Sequence, residues 1–285
     1  MNAWTIREPE SIALDDVSVR KLKVNLVSGR LSVVGTDGPA RVEISRVGDE
    51  PIQVRVDNGE LQIVHEDVRT WPGILKPLWW MINGGRRFTV DVTVAVPFDA
   101  ECKLWVASGS LVASSVHADV TADVVSGRMT LFGLDGRLRG KVVSGPIEAL
   151  GCAGEIELET VSGEITLADS AADRVHAKTV SGSLTADLDN PPYNSQIRLE
   201  TVSGEITIRV REDSDLKVAL GAAHGRVTSD FPGMSVDSKW GSNVNGTLGT
   251  GSGRLVANAV GGNISLLRRP VDADFGTTAD FGDSA

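Results

Sequence analysis

Serine stands directly before glycine at Ser108, Ser126, Ser144, Ser162, Ser181 and Ser203. A serine on a tight glycine turn can serve as a hydrolytic nucleophile, but it then needs a base within reach and donors for an oxyanion. No histidine recurs beside these serines, and Gly-x-Ser-x-Gly does not occur. The series therefore reads as structural, and no catalytic residue is assigned. Cys102, Cys152 and the four scattered histidines lack the spacing of a zinc site. No metal and no cofactor is expected. Both cysteines fall on inward positions of the pattern described next, as unbridged buried thiols.

The glycines belong to a repeat. LETVSGEIT occurs as Leu158–Thr166 and again as Leu199–Thr207, and the same pattern marks Gly109, Gly127, Gly145, Gly163, Gly182, Gly204, Gly225, Gly246 and Gly262. Two residues after each mark the side chain is apolar (Leu111, Met129, Ile147, Ile165, Leu184, Ile206, Val227, Leu248, Ile264). Two residues before it the side chain is again apolar, from Ala107 and Val125 to Val260. A drifting period of about 18–22 residues with Val, Ile and Thr in alternation predicts an all-β fold, a parallel β-solenoid of the β-helix or β-roll kind. Taken as one pleat, Val161, Gly163, Ile165 and Leu167 face inward while Ser162, Glu164 and Thr166 face out. Successive marks are expected to be successive coils.

The preceding hundred residues read as related strands. Asp57-Asn58-Gly59 between Ile52–Val56 and Leu61–Val64 predicts a hairpin. Phe88 to Val96 alternates cleanly and stops at Pro97. The expected organisation is a strand-rich cap over 1–100, carrying a Trp-rich insertion at 67–87, then coils over 101–269 continuous with it. An acidic disordered tail over 270–285 completes it.

The N-terminal strands, the V-T-V-x-V-P segment and the recurring V-S-G-x-[IL]-T coils resemble a bacterial family of β-strand-repeat proteins known as putative adhesins, a family of unknown function. The resemblance covers roughly Leu14 to Arg269. It implies a right-handed parallel β-helix or roll and brings no catalytic residues with it.

Net charge is −10, a sign that repels phosphate backbones, so nucleic acid is not expected as a partner. Met1–Glu10 lacks a basic end and an apolar run, and the apolar window Trp71–Ile82 falls short of the roughly twenty residues that span a bilayer. A cytoplasmic protein is expected, in which Trp71–Ile82 folds back to cap the open end of the rod; left exposed, the same segment would offer peripheral contact at the inner membrane face. Candidate partner-binding residues are Trp71, Trp79, Trp80, Tyr193 and Trp240, because clustered or loop-borne aromatics suit a partner surface. Asp187, Asp189, Glu212, Asp213, Asp215, Asp230 and Asp237 fall on longer connections and form a candidate acidic loop patch for a cation or basic partner. The expected function is a non-enzymatic binding or scaffold module, adhesin-like, whose partner is a protein or an envelope component. A self-assembling β-helical filament is the first alternative, and a carbohydrate-active β-helix enzyme the second.

Overall fold

The computed structural model describes residues 2–15, 17–65, 88–189, 194–237 and 242–270, which form strands and no helix. The N-terminal part supplies β1 (Asn2–Ile6), β2 (Glu10–Leu14), β3 (Lys21–Thr36), β4 (Ala40–Val47), β5 (Ile52–Asp57), β6 (Glu60–His65) and β7 (Thr89–Pro97). The central run is β8 (Glu101–Ser114), β9 (Val120–Phe132), β10 (Asp135–Ser144), β11 (Ile147–Leu150), β12 (Ala153–Ser162), β13 (Ile165–Ser181), β14 (Leu184–Leu188), β15 (Gln196–Ser203) and β16 (Ile206–Arg211). β17 (Leu216–His224), β18 (Val227–Ser229), β19 (Ser235–Asp237), β20 (Ser242–Leu248), β21 (Gly253–Gly261) and β22 (Ile264–Arg269) follow.

Equivalent positions of the repeat pair in parallel. Cys102 faces Val120, Val120 faces Leu138, Leu138 faces Ile156, Ile156 faces Val175, and Val175 faces Ile197. Each passage of the chain, here called a rung, contributes one stretch before the Ser-Gly corner and one after it. The stretches before the corner build one ladder and those after it a second. Inward residues of both, such as Leu104, Leu158 and Leu255 from the first and Leu111, Ile165 and Ile264 from the second, belong to one buried cluster. Apolar side chains stacked file upon file hold the ladders together.

The rungs do not follow sequence order at either end. β3 lies between β6/β7 and β8, paired in parallel with all three. The last rung, β21/β22, lies between β15/β16 and β17/β18. This corrects the expectation that successive glycine marks are successive coils. The glycine neighbouring Gly204 is Gly262, and Gly225 comes after it. Gly246 is no corner at all, since β20 runs antiparallel to β17 and pairs Gly246 with Val218. Parallel pairing asks only for matching register, and Leu255, Ala257 and Ala259 match Ile197, Leu199 and Thr201 across 58 positions as well as a nearer rung could.

A second correction concerns the valines before the corner. Val125, Val143, Val161, Val180, Val202 and Val260 are 40–52% exposed, and the inward residue is the one before each. The corner glycines have φ of 135–154° from Gly109 to Gly204 and at Gly262, which breaks the alternation that a single pleat would continue.

Antiparallel strands close both ends. β5 and β4 pair with β6 and β7, with β1 and β2 outside them; β20 pairs with β17, with β19 beyond. They cover edges that would otherwise template further pairing. The hairpin expected at Asp57-Asn58-Gly59 forms between β5 and β6, with φ of 49° at Asn58 and 79° at Gly59, as a type I′ turn requires. The insertion at 67–87 and the tail beyond residue 270 lie outside the described residues. No helix among those described is long and apolar enough to cross a membrane.

Candidate binding surface

The corner is the unit from which the surface is built. A Cβ placed on Gly109, Gly127, Gly145, Gly163, Gly182, Gly204 or Gly262 would lie 1.7–1.9 Å from the carbonyl oxygen of the glycine on the adjacent rung. Only glycine lets the rungs approach this closely at that φ. Inside the corner, Thr160 Oγ1 donates to the Gly145 carbonyl at 3.4 Å, and Thr201 Oγ1 to the Gly182 carbonyl at 3.4 Å. Outside it, Ser126, Ser144, Ser162, Ser181 and Ser203 are exposed. The backbone beneath them carries the ladder, as in Gly145 N–H to the Ser162 carbonyl at 2.8 Å.

Between the serines and the first ladder stands the valine file. Its six members are consecutive in space because Val260 follows Val202 once β21 is interposed. On a rung spacing of about 4.8 Å the file is about 24 Å long. Beside it runs a column of alternating charge, Asp123, Lys141, Glu159, Lys178 and Glu200, in register with one another. Neighbouring pairs reinforce it: Lys141 to Glu159 at 3.1 Å, Arg139 to Glu157 at 2.9 Å, and Glu155 held by Arg137 at 3.3 Å and Arg174 at 2.8 Å. Each exposed pair contributes at most about 1 kcal/mol, so the ladder fixes side-chain positions more than it stabilises the fold.

The column ends in a trough of about 440 Å³ lined by Glu200, Gly221, Asn243 and Asn258 on one side and by Val202 and Val260 on the other. Gly221 contributes no side chain, so the column is interrupted there. A Cβ on Gly221 would lie 3.0 Å from Asn243 Oδ1 and 3.5 Å from Asn258 Oδ1. The two amides converge on the space above it. The sequence reading did not single out these residues, because their adjacency depends on the rung order at the C-terminal end.

The acidic candidates separate into three groups. Asp187, Asp189 and Asp213 share three arginines that the sequence reading left out. Arg209 binds Asp187; Arg269 reaches Asp187 at 3.3 Å and Asp169 at 3.2 Å; Arg211 reaches Asp213 at 2.7 Å and Asp189 at 3.9 Å. The Arg209 guanidinium holds the Asp187 carboxyl below its ordinary range, and Arg211 does the same for Asp213. This part of the expected acidic patch is thus an ion-pair cluster. Asp215 is a turn clamp. It accepts from Thr250 Oγ1 and Ser252 Oγ, each at 2.8 Å, and from the backbone N–H groups of Gly251 and Ser252, which bring its carboxyl down to about 2. Glu212 and Asp230 are exposed, and Asp237 closes β19 opposite Asn243.

Trp71, Trp79, Trp80, Tyr193 and Trp240 lie outside the described residues. Cys102 and Cys152 are free and buried, and burial pushes the Cys102 thiol up to about 12. Among the described residues no group of three or more His, Cys, Asp or Glu could hold a metal ion. His65 is the buried titratable group of most consequence. Its Nδ1 accepts the Val27 N–H at 3.4 Å, its ring meets Phe88 edge-on at 5.9 Å, its Nε2 has no partner among the described residues, and burial lowers it to about 4.

The family model described as Toastrack DUF4097 matches residues 40–267. Solved structures align over most of the chain at low identity. A putative adhesin from Bacteroides fragilis is 12% identical, with 92% of this chain and 98% of that one covered and a TM-score of 0.40. A putative lipid binding protein from Parabacteroides distasonis is 11% identical, with coverages of 92% and 97% and a TM-score of 0.39. A putative cell adhesion protein from Clostridium sporogenes is 14% identical, with coverages of 92% and 99% and a TM-score of 0.27. No curated protein sequence matches the chain.

Proposed function

Starting from a chain that belongs to the Toastrack DUF4097 family, we propose a non-enzymatic binding module, built as a β-solenoid of about 18–22 residues per coil, that docks an envelope component on its corner surface. The observation that carries this reading is the file of six exposed valines. Valine on a strand ordinarily faces the core. Here an unbroken apolar ridge of about 24 Å stands in water beside paired charges, and exposed contiguous apolar surface marks interaction sites. Its side chains are held on a backbone that cannot flex independently, so little ordering entropy opposes docking.

Sedimentation of the purified chain with bacterial envelope fragments tests the proposal. Saturable co-sedimentation is expected, and replacing Val143, Val161 and Val180 with Ser should reduce it by roughly tenfold or more. The valines point outward, so the variant should keep its melting temperature to within a few degrees. Wild-type protein that stays in the supernatant, or a variant that sediments equally well, would refute it.

A further inference from the structure

We infer that the trough around Gly221 binds an acidic pyranose oligosaccharide, a ligand class for the binding reading just given, on which it rests. Three independent features converge on that chemistry.

The first is hydrogen-bonding capacity. Asn243 and Asn258 have no side-chain partner among the described residues, and both lean over the notch that Gly221 leaves. An amide offers two N–H donors and an acceptor oxygen side by side, and two converging amides match adjacent ring hydroxyls, each of which both gives and takes a hydrogen bond. Glu200 adds an acceptor at the next position of the column; Arg198 and His176 keep its carboxyl below its usual range.

The second is the opposite wall. Val202, Val260 and Ala223 present methyl groups, which suit the C–H face of a sugar ring. Among the described residues the lining includes no aromatic side chain on which unstacked nucleobases could rest. A pyranose repeat is also comparable with the rung spacing of about 4.8 Å, so consecutive rings can meet equivalent positions along the trough.

The third is charge. β17, β20 and β21 contain no acidic residue, although the chain carries 38 acids against 28 bases. Lys217 and Arg254 stand four residues before Gly221 and Asn258 on their strands, so they share the outer face with the trough. Neither has an ion pair among the described residues, and Lys178, which lines the far end of the trough, has none either. Glu200 is balanced by Arg198. Asp237, opposite Asn243 on β19, is one acid against Lys178, Lys217 and Arg254, so the surroundings of this trough are net cationic on an anionic protein, which favours a carboxylated or sulfated chain over a neutral one.

Titration of the ¹⁵N-labelled protein with a galacturonate tetramer, following the side-chain amide resonances of Asn243 and Asn258, tests this. The site is shallow, so concentrations should extend to the millimolar range. Both resonances should shift, and the neutral galactose tetramer should bind roughly tenfold more weakly. Gly221→Val should abolish the shifts. A Cβ there meets only the far ends of the Asn243 and Asn258 side chains, and Gly221 is not left-handed, so the fold tolerates it. Lys178→Gln with Arg254→Gln, both exposed, should weaken binding and flatten its salt dependence. The inference is overturned by unmoved resonances, by equal binding of the neutral tetramer, by unchanged binding in Gly221→Val, or by tighter binding of a thymidylate tetramer. If these fail while envelope co-sedimentation persists and still needs the valines, only the saccharide assignment falls. Loss of both removes the binding reading itself.

Discussion

Thr179 Oγ1 donates a hydrogen bond of 3.3 Å to the carbonyl of Gly163 on the adjacent rung, from inside the core. Val124 and Val142 occupy the equivalent place on earlier rungs, in register with Thr160. The corner therefore accepts either a methyl or a hydroxyl at this point. Thr179→Val should cost about 1 kcal/mol, the worth of one internal hydrogen bond, measured as a lower urea midpoint at unchanged slope. A loss above about 3 kcal/mol would mean that the hydroxyl organises the corner rather than filling it.

Replacing a corner glycine should be far more damaging. Gly163→Ala places a Cβ 1.9 Å from the Gly145 carbonyl oxygen at φ 154°, so the rungs must part. We expect a loss of about 4 kcal/mol or more, or failure to fold. Gly133→Ala is the control. It too has positive φ, 57°, but open space around it, so only the backbone penalty of about 1–2 kcal/mol applies. Similar losses in both variants would show that close approach is not what fixes the corner.

The recurring glycines were legible because one residue type returns at a steady interval for one steric reason, but the corner they make was not. The I′ hairpin and the alternation of β7 were legible on equally local grounds. What stayed hidden depends on long-range arrangement. The valines share the parity of the inward residues only if the pleat continues through Gly163, and it does not. Asp169 and Arg269 meet across a hundred positions, and Asn243 and Asn258 flank Gly221 from opposite sides of β17. No period in the sequence records those encounters.

His65 should make the fold acid-sensitive well above the carboxylate range. Its unfolded value is 6.5 and its folded value about 4, so the unfolded chain takes up the proton first as pH falls. Stability is complete above 6.5, declines between 6.5 and about 4, and loses about 3 kcal/mol across that window. Glu101, Glu200 and Asp187 are lowered by their cationic partners and act further down. His65→Leu should flatten the stability profile between pH 4 and 6.5, as measured by urea denaturation at fixed ionic strength. An unchanged slope there would assign the acid response to other groups.

Asp215→Asn should loosen the turn between β20 and β21 without unfolding the ladders. The carboxylate collects four donors from Thr250, Gly251 and Ser252, and an amide cannot accept them all. Faster amide exchange is expected at Gly251 and Ser252, with protection kept at Leu255 and Ala257. In the native protein the same clamp should persist until pH falls through about 2, since the folded carboxyl is depressed from 3.8. Uniform loss of protection along β21 would show that Asp215 secures the whole rung.

The interposed rung bears on how the molecule comes into being. During synthesis residues 216–248 leave the ribosome before 253–269, yet their place lies beyond it. Until the final segment emerges, β15 has an open flank and β17 has nothing parallel to rest on. Growth by adding each winding to the last is thus impossible at this end. The closing strands act as a keystone, and a chain stopped just short of residue 253 would expose two unsatisfied edges at once.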